Sequence, residues 1–464
     1  MSNFLKKYIG DKKFYKMLMG VALPIIAQNA ITNFVSLLDN IMIGKVGTNE
    51  MTGVSVANQL MFVYMLLVFG GVAGAGIFVA QFFGKGDHEG VKHTMRFKLI
   101  VTTLVGILGV VVFSLFKEPL VSLYISDAAT NCDPEATLNF GTQYINIMVL
   151  GLFPFAVSQA YSSTLRETGQ TLVPMAAGLT AVCVNLAFNY ILIFGHFGFP
   201  KLGVAGAAIA TVLSRYVELA IVVLYTHISR KNKFARGLFK GFYIPWDTAK
   251  KITIKGMPLL VNEVLWSCAI AAISQCYSTR GLDVVGAMNI SNTVSNLFNT
   301  VFLALGVSVS IIVGQALGSG DIEKAVDLDR KLIVTAVISG IFTGGLLALS
   351  APFFPLVYNT EPEIQALATK FIICVACGCP LHAFLNACYF TIRSGGKTLI
   401  TVLFDCVATW VVNYGTVFLL ILIAPEMPVV YIALADQLIN IVKCVFGFVL
   451  VKNRTWVNVL VTND

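Results

Sequence analysis

A few acidic and amide side chains interrupt long apolar stretches of this sequence. Asp39 lies about four residues from the end of one stretch, roughly 6 Å along a helix axis. Asn185 and Asn189 lie in another stretch, with the i, i+4 spacing that shares one helix face. A carboxylate and two amide oxygens offer a sodium ion the oxygen ligands that hard cations prefer, whereas a carboxyl group in a low dielectric can carry a proton. The alternative is a hydrogen-bond network that links helices and binds no ion.

Three ionisable residues inside apolar stretches of the second half are candidates for binding a substrate or a proton. Glu263 lies about a dozen residues into its stretch, with no basic residue within one helical turn. A charge in hydrocarbon costs at least about 2.5–3.5 kcal/mol on insertion scales, so we expect a neutral glutamic acid or a carboxylate that faces a cavity. Asp405 and His382 complete the set, although packing or a hydrogen bond explains His382 equally well. Asp436 is a further acid inside an apolar stretch, without an assigned role.

The composition identifies the environment of these residues. Of the 464 residues, 57% are apolar and 12% are charged, about half the charged share of a soluble domain, and the mean hydropathy is +0.80. Twelve apolar runs approach or exceed the 20 or so residues that span a bilayer. They cover residues 17–43, 54–83, 97–116, 137–163, 171–195, 203–227, 251–279, 284–314, 332–357, 364–392, 398–423 and 428–451. Because the runs lack the alternation of barrel strands, they predict an all-α integral membrane protein with twelve transmembrane helices.

Basic residues are distributed unevenly over the connections between these runs. They gather before the first run and in loops 84–97, 228–250 and 315–331, while the opposite loops hold only Lys45, Lys117, Lys201 and Arg280. Since positive residues favour the cytoplasmic side, we predict a multi-pass protein of the cell membrane with both termini in the cytoplasm. This topology explains the net charge of +8, and no nucleic-acid partner is expected.

The sequence contains an internal repeat. Residues 81–96 and 315–330 share Gln, two Gly, Asp, Glu and Arg at a constant offset of 234. The segment TLRETGQTL at 164–172 matches TIRSGGKTL at 391–399 at an offset of 227. Two blocks in the same order indicate a duplication.

The repeat predicts how the molecule is divided. We expect an N-lobe at 1–228 and a C-lobe at 250–464, each with six helices, joined by a cytoplasmic basic linker at 229–249. Two such lobes are expected to be parallel repeats around a central cleft. Pro24 and Pro258, which also match at the offset of 234, lie in the first helix of each lobe, where a proline kink offers a hinge.

Several motifs resemble those of the multidrug and toxic compound extrusion (MATE) family. They are LPIIAQNAITNFVSLLDNIMIGKVG, QALGSGD, NLAFNYILIFGHFGFPKLGVAGAAIAT and IRSGGKT, which together spread over nearly the whole chain. The resemblance implies two six-helix lobes and export of organic cations by alternating access, driven by entry of sodium or protons. It also implies an ion site in the first lobe formed by Asp39, Asn185 and Asn189, with a contribution from Thr211, and a binding role for Glu263. One subgroup has an acid at the position of Asn189, so the choice of ion stays open.

Two other functions fit the sequence less well. A lipid-linked precursor flippase of the same superfamily would need several basic residues in its cavity, whereas only Arg215 lies deep in a run, and Glu218 three residues later predicts a structural ion pair. A membrane-embedded enzyme would need clustered catalytic groups, and the sequence has neither HExxH nor a GxxxxGK[ST] phosphate loop. The prediction is therefore an antiporter of small amphipathic cations. It is expected to work in the lipid bilayer as a monomer without a cofactor.

Overall fold

The computed structural model describes residues 7–124, 133–241, 243–358 and 360–461. Within these ranges, twelve helices are long and apolar enough to cross a membrane, and no strand occurs. The predicted all-α fold with twelve spanning helices is confirmed.

The spanning helices follow one another with short connections. The first six are α1 (Lys12–Gly44), α2 (Thr48–Lys85), α3 (His88–Ser122), α4 (Pro134–Glu167), α5 (Leu172–Phe194) and α6 (Val204–Ile228). The last six are α7 (Trp246–Ser278), α8 (Leu282–Gly318), α9 (Ile322–Ser350), α10 (Pro362–Ser394), α11 (Thr398–Ile423) and α12 (Val429–Lys452). Short 3₁₀ turns lie at Lys233–Ala235 and Phe354–Val357. α1 and α7 continue through Pro24 and Pro258, and a hinge at either proline stays a prediction.

Two helices begin about ten residues before the apolar runs that predicted them. α3 begins at His88 rather than at 97, and α9 begins at Ile322 rather than at 332. α9 follows Gly320, whose φ of 79° suits glycine, and the carboxylate of Asp321 caps the helix by accepting from Lys324 N at 3.1 Å. The predicted starts are wrong because the capped first turns are polar, so hydropathy does not detect them.

Two helices near the end of the chain depart from regular geometry. In α11, Leu403–Val407 and Thr409–Tyr414 form π-helical turns between α-helical ends. α12 is interrupted at Ile439. π-helical turns are rare and occur frequently at functional sites, so the side chains that α11 presents at these turns are of interest.

The chain divides into two compact units. The N-unit comprises residues 27–79 and 87–253, and the C-unit comprises residues up to 26, 80–86 and from 254 onwards. α1, α2 and α7 therefore each contribute residues to both units. The lobe boundaries and the linker predicted from the repeat stay predictions.

In the N-unit, α4 packs against α3 and α6, and α5 packs against α6. A buried ion pair joins α3 to α4, with Lys98 Nζ 2.5 Å from Glu167 Oε2. The buried Arg96 guanidinium binds the segment after α6, donating to the carbonyl oxygens of Leu238 and Gly237 at 2.8 and 2.9 Å. These contacts provide an ion-pair or hydrogen-bond partner for two of the basic residues that the sequence places at the start of α3.

In the C-unit, α10 packs against α8, α9 and α12. The beginning of α1 joins the same core through Phe14 and Leu18, which pack with the fully buried Trp456. This core explains why a segment from the start of the chain belongs to the C-unit.

The repeated glutamines and glycines meet where α2 crosses α8 in the C-unit. A Cβ atom on Gly84 would overlap the Gln315 backbone, and a Cβ atom on Gly318 would overlap the Gln81 backbone. Gln81 is fully buried, and its amide donates to Ser394 O at 3.0 Å and accepts from Leu460 N at 2.7 Å. The repeat motif therefore has a structural function, since it permits a close helix crossing.

Candidate functional site

The structure brings the four candidate residues of the first half together in the N-unit. α1 supplies Asp39, α5 supplies Asn185 and Asn189, and α6 supplies Thr211. The two asparagines are 5% and 1% exposed, and their i, i+4 spacing directs both amides to one side of α5. The residues predicted as an ion site thus form one cluster on three helices. Their role in ion binding stays a prediction.

Hydrogen bonds from two amides hold the Asp39 carboxylate. Asn189 Nδ2 donates to Asp39 Oδ1 at 2.6 Å. With its nitrogen facing Asp39, the Asn185 amide donates to Oδ1 and Oδ2 at 3.1 and 3.2 Å, and its oxygen accepts from the Thr211 hydroxyl at 3.2 Å. Such donors stabilise an ionised carboxylate. Among the described residues, Asn189 Oδ1 is buried without a hydrogen-bond partner, so one free acceptor lies next to the carboxylate.

Asp39 forms part of the wall of a cavity of about 310 Å³ in the N-unit. Most of the wall consists of methionine, aromatic, aliphatic and glycine residues. These are Met61, Met65, Met148, Phe62, Phe155, Tyr64, Tyr144, Ile43, Leu152, Ala207 and Gly151. Its other polar members are Asn58, Asn189, Thr211 and Arg215. An apolar wall with a few convergent polar groups is the usual construction of a small-molecule site, and this volume is at the lower end of the usual range.

Arg215 lines this cavity in addition to forming the ion pair predicted with Glu218. Its Nη1 atom lies 3.4 Å from Glu218 Oε2, and its guanidinium carbon lies 4.9 Å from the centroid of the Phe155 ring. The sequence did not predict that Arg215 lines a cavity. The signal that identifies it is the spacing of four residues from Thr211, which places both side chains on one face of α6.

Glu263 and Asp405 lie in the C-unit, where they make separate contacts. Glu263 Oε1 accepts from the Tyr389 hydroxyl of α10 at 3.5 Å. Asp405 Oδ2 accepts from Asn262 Nδ2 of α7 at 2.9 Å. Asn262 precedes Glu263 in the sequence, so α7 directs one polar side chain to α10 and the next to α11. Sequence reasoning missed Asn262, because an isolated asparagine in an apolar run gives no signal.

His382 and Asp436, the remaining polar candidates of the second half, are both hydrogen-bonded in the C-unit. His382 Nε2 lies 2.9 Å from Gln437 Oε1, and Asp436 Oδ1 accepts from Asn413 Nδ2 at 2.9 Å. The hydrogen bond of His382 corresponds to one of the two roles that the sequence left open. Its role as a proton relay stays a prediction.

The spanning helices and a polar cluster on the wall of an apolar cavity are typical of a multi-pass membrane transporter. Comparison with known proteins identifies the family. The family model MatE matches residues 24–191 and 258–419. The chain therefore belongs to the MATE family, whose members are membrane transporters rather than enzymes, and the predicted resemblance is confirmed.

Individual relatives agree with this assignment over most of the chain. A protein of Thermotoga maritima named as a probable multidrug resistance protein NorM is 24% identical over 411 residues, which are 88% of this chain and 85% of that protein. An outward-facing multidrug resistance MATE transporter of the MOP superfamily superposes with a TM-score of 0.84 at 17% identity over 98% of both chains. A MOP superfamily transporter of Pyrococcus furiosus, described as having a binding pocket of reverse polarity, superposes with a TM-score of 0.82 at 18% identity, also covering 98% of both chains. The fold is thus shared by transporters that differ in the polarity of their sites.

Proposed function

We propose that this protein is a cation-coupled antiporter that exports amphipathic organic cations by alternating access. The observation that carries the proposal is the Asp39 carboxylate on the wall of an otherwise mainly apolar cavity, held by Asn185 and Asn189. The name of the Thermotoga relative, a probable multidrug resistance protein, supports the same direction of transport and the same class of cargo.

The cavity wall suits a flat cation with apolar substituents. The aromatic rings of Phe62 and Phe155 and the methionines offer polarisable surface, and such faces attract cations. Methionine side chains adapt to irregular shapes, which favours broad rather than narrow specificity. Asp39 then supplies the charge that neutralises the cargo in a low dielectric.

The coupling ion would compete with the cargo for the carboxylate of Asp39. A proton needs the carboxylate alone. A sodium ion needs further oxygen ligands, and the unpartnered Asn189 Oδ1 together with Asp39 supplies two of them. A single carboxylate cannot neutralise the cargo and the ion together, so entry of the ion releases the cargo. Thr211 contributes by orienting the Asn185 amide.

The acids of the C-unit have supporting roles in this proposal. Glu263, hydrogen-bonded to Tyr389, and Asp405 bind a substrate or a proton in the second half, and His382 is a relay candidate. The protein would act as a monomer in the cell membrane, with both termini in the cytoplasm. Bending of α1 and α7 at Pro24 and Pro258 would accompany the change in access.

The alternative of a lipid-linked precursor flippase is not favoured. Such a protein handles anionic headgroups and needs several cationic side chains in its cavity. Among the residues that line the described cavity, Arg215 is the only basic one, and Glu218 forms an ion pair with it. The carboxylate of Asp39 would repel an anionic headgroup.

Transport in proteoliposomes tests the proposal. The purified protein is reconstituted, and uptake or release of a fluorescent organic cation is followed under a proton gradient or a sodium gradient applied separately. We expect one of the two gradients to drive transport. In Asp39→Asn, which keeps the size of the side chain, we expect loss of at least nine-tenths of the gradient-driven rate.

Two exposed acids provide matched controls. Asp283→Asn and Glu118→Gln make the same chemical changes outside the candidate sites, and both should transport like the unmodified protein. Glu263→Gln tests the second half in the same assay, and partial loss is expected. Full gradient-driven transport by Asp39→Asn would contradict the proposal, as would transport by the unmodified protein that neither gradient accelerates.

A further inference from the structure

A buried lysine lies among the last helices of the C-unit. Lys443 on α12 is 7% exposed. Its Nζ atom donates to Thr409 Oγ1 at 2.9 Å and to Asn413 Oδ1 at 3.4 Å, both on α11. In the described part of the chain, no carboxylate forms an ion pair with it within 4.0 Å. An ammonium group held only by neutral acceptors is costly in a low dielectric unless charges of opposite sign lie nearby.

Two acids supply that opposite charge, the carboxylate of Asp436 through a shared hydrogen-bonding residue and that of Asp405 through its electrostatic interaction with the ammonium. Thr409, which accepts from Lys443, donates to the backbone oxygen of Asp405 at 2.6 Å. Asn413, the other acceptor, donates to Asp436 Oδ1 at 2.9 Å. Asn413 therefore links the ammonium to the carboxylate of Asp436, whereas Thr409 links it to the main chain of α11 at Asp405. The π-helical turns of α11 contain Asp405, Thr409 and Asn413.

A free oxygen lies beside one of these acids. Asn262 is 1% exposed, and its Nδ2 donates to Asp405 Oδ2 at 2.9 Å. Its Oδ1 atom is buried and has no hydrogen-bond partner among the described residues. The Asp405 carboxylate and the unpartnered amide oxygen are both acceptors, and such oxygens are the ligands that a small hard cation binds.

The repeat explains why the two halves differ. At an offset of 228, one more than in the loop before α11, Asn185 corresponds to Asn413 and Arg215 to Lys443. Each half thus has a basic residue on its last helix. In the first half, Glu218 balances the arginine through an ion pair of 3.4 Å, so Asp39 keeps a charge for a mobile cation. The residue that corresponds to Glu218 is Phe446, so Lys443 has no acid three residues after it on α12.

We infer that Lys443 is a resident cation of the second half, which balances Asp405 and Asp436 and so excludes sodium from the oxygens of Asp405 and Asn262. Lys443 therefore determines whether the C-unit can bind sodium, and it is in this sense a specificity-determining residue. The consequence that sodium binds only at Asp39 rests on the proposed function, whereas the exclusion of sodium at Asp405 does not. Removal of the ammonium should uncover a sodium site in the C-unit.

The test measures binding of radioactive sodium to the purified full-length protein at pH 8 without organic cation. Lys443→Gln removes the charge, and its amide can still bond to Thr409 and Asn413. We expect it to bind about one more sodium ion per chain than the unmodified protein, and we expect Asp405→Asn added to this variant to abolish the gain. Lys443→Arg keeps the charge, and Lys452→Gln makes the same change at an exposed position of α12. Both should bind like the unmodified protein.

The outcomes separate this inference from the proposed function. Equal sodium binding by Lys443→Gln and the unmodified protein would overturn the inference, as would sodium binding by the unmodified protein that Asp405→Asn removes. The double variant Lys443→Gln with Asp436→Asn removes one charge of each sign and serves as a second test if the single variant does not fold. The gain should persist when Asp39→Asn is added, because it concerns the C-unit. If the gain in sodium binding persists and Asp39→Asn still transports normally, the proposed function is refuted and the inference about Lys443 stands.

Discussion

Asp39 and Arg215 line the same cavity with opposite charges, and their partners determine what each charge does. Asp39 accepts from neutral amides, which stabilise its charge without cancelling it. Arg215 is balanced by Glu218, which is not part of the cavity wall. The cavity therefore favours cations, but the arginine still weakens the attraction.

Neutralising the pair Arg215 and Glu218 should strengthen binding of organic cations. At an assumed separation of about 8 Å and an effective dielectric of about 20, loss of the guanidinium repulsion is worth at most about 2 kcal/mol, and loss of the attraction of Glu218 offsets part of it. A change of 1.4 kcal/mol corresponds to about tenfold in affinity. For Arg215→Gln combined with Glu218→Gln we expect a several-fold to tenfold lower Kd for a fluorescent organic cation, measured by fluorescence anisotropy. Both residues are changed so that no buried acid is left unpaired.

The matched control is a second ion pair of the N-unit that lies outside the cavity wall. Lys92→Gln with Glu89→Gln removes a pair whose atoms lie 2.6 Å apart at the start of α3, and the Kd should not change. Weaker binding in the Arg215 and Glu218 variant would mean that the guanidinium contributes to binding, for example by fixing Phe155.

Asp39, Asn185 and Asn189 were predictable because each interrupts an apolar run and the two asparagines have helical spacing, whereas only the family resemblance implied Thr211. Other polar residues gave weaker signals. Tyr144 lines the cavity, but an aromatic residue in a spanning helix is most often packing. Lys443 also escaped notice, because it lies eight residues from the end of the last run, and a long lysine side chain at that depth can extend towards the membrane surface. Only tertiary contacts with Thr409 and Asn413 distinguish it.

At the scale of helices, the duplicated glycines make a specific packing requirement visible. Gly84 and Gly318 lie where α2 and α8 cross, and neither position has room for a Cβ atom. Small residues at such crossings let two helix backbones approach in a membrane. The helices would have to separate to accept a side chain, and the hydrogen bonds of Gln81 close to the crossing would be disturbed.

Gly84→Ala should therefore destabilise the protein. Overpacking of a tight contact typically costs about 1–3 kcal/mol, and here the atoms that must move belong to the backbone. We expect a lower melting temperature and a lower yield of monodisperse protein, measured by thermal size-exclusion chromatography in detergent. Gly345→Ala is the matched control, since no atom lies within 4 Å of its Cβ position in α9. It should be neutral or stabilising by up to about 1 kcal/mol, and equal behaviour of the two variants would refute the packing argument.

Hydropathy located the spanning helices but not their ends or their irregularities. The early start of α9 depends on the cap at Asp321, which adds polar turns to the helix. The π-helical turns of α11 follow from no local sequence rule, since Asp405 and Thr409 lie in an ordinary apolar run. The tertiary partners Asn262 and Lys443 stabilise the side chains that these turns present.

In the whole molecule, the duplication gives the two halves one common scaffold, whereas their charged residues have diverged. At the offset of 234, Asp39 corresponds to Ile273 and Glu263 to Asn29, so the two halves do not repeat these acids. The glycine loops are repeated because they permit the same close helix crossing, and the first-helix prolines are repeated as well. Asymmetric charge on a symmetric scaffold allows one half to bind the coupling ion while the other has a different task. A central cleft between the lobes stays a prediction.

The distribution of basic residues also predicts how the whole chain is inserted. The loops opposite the basic ones contain the connection between α5 and α6, where Phe197 is 82% exposed and Lys201 is the one basic residue. An epitope inserted after Phe197 should be accessible to an impermeant antibody on intact cells, and epitopes at the two termini should be accessible only after permeabilisation. The physical reason is that lysine and arginine near helix ends are retained on the cytoplasmic side. A terminal epitope that intact cells expose would reverse the predicted orientation and, with it, the direction of transport proposed for the Asp39 cavity.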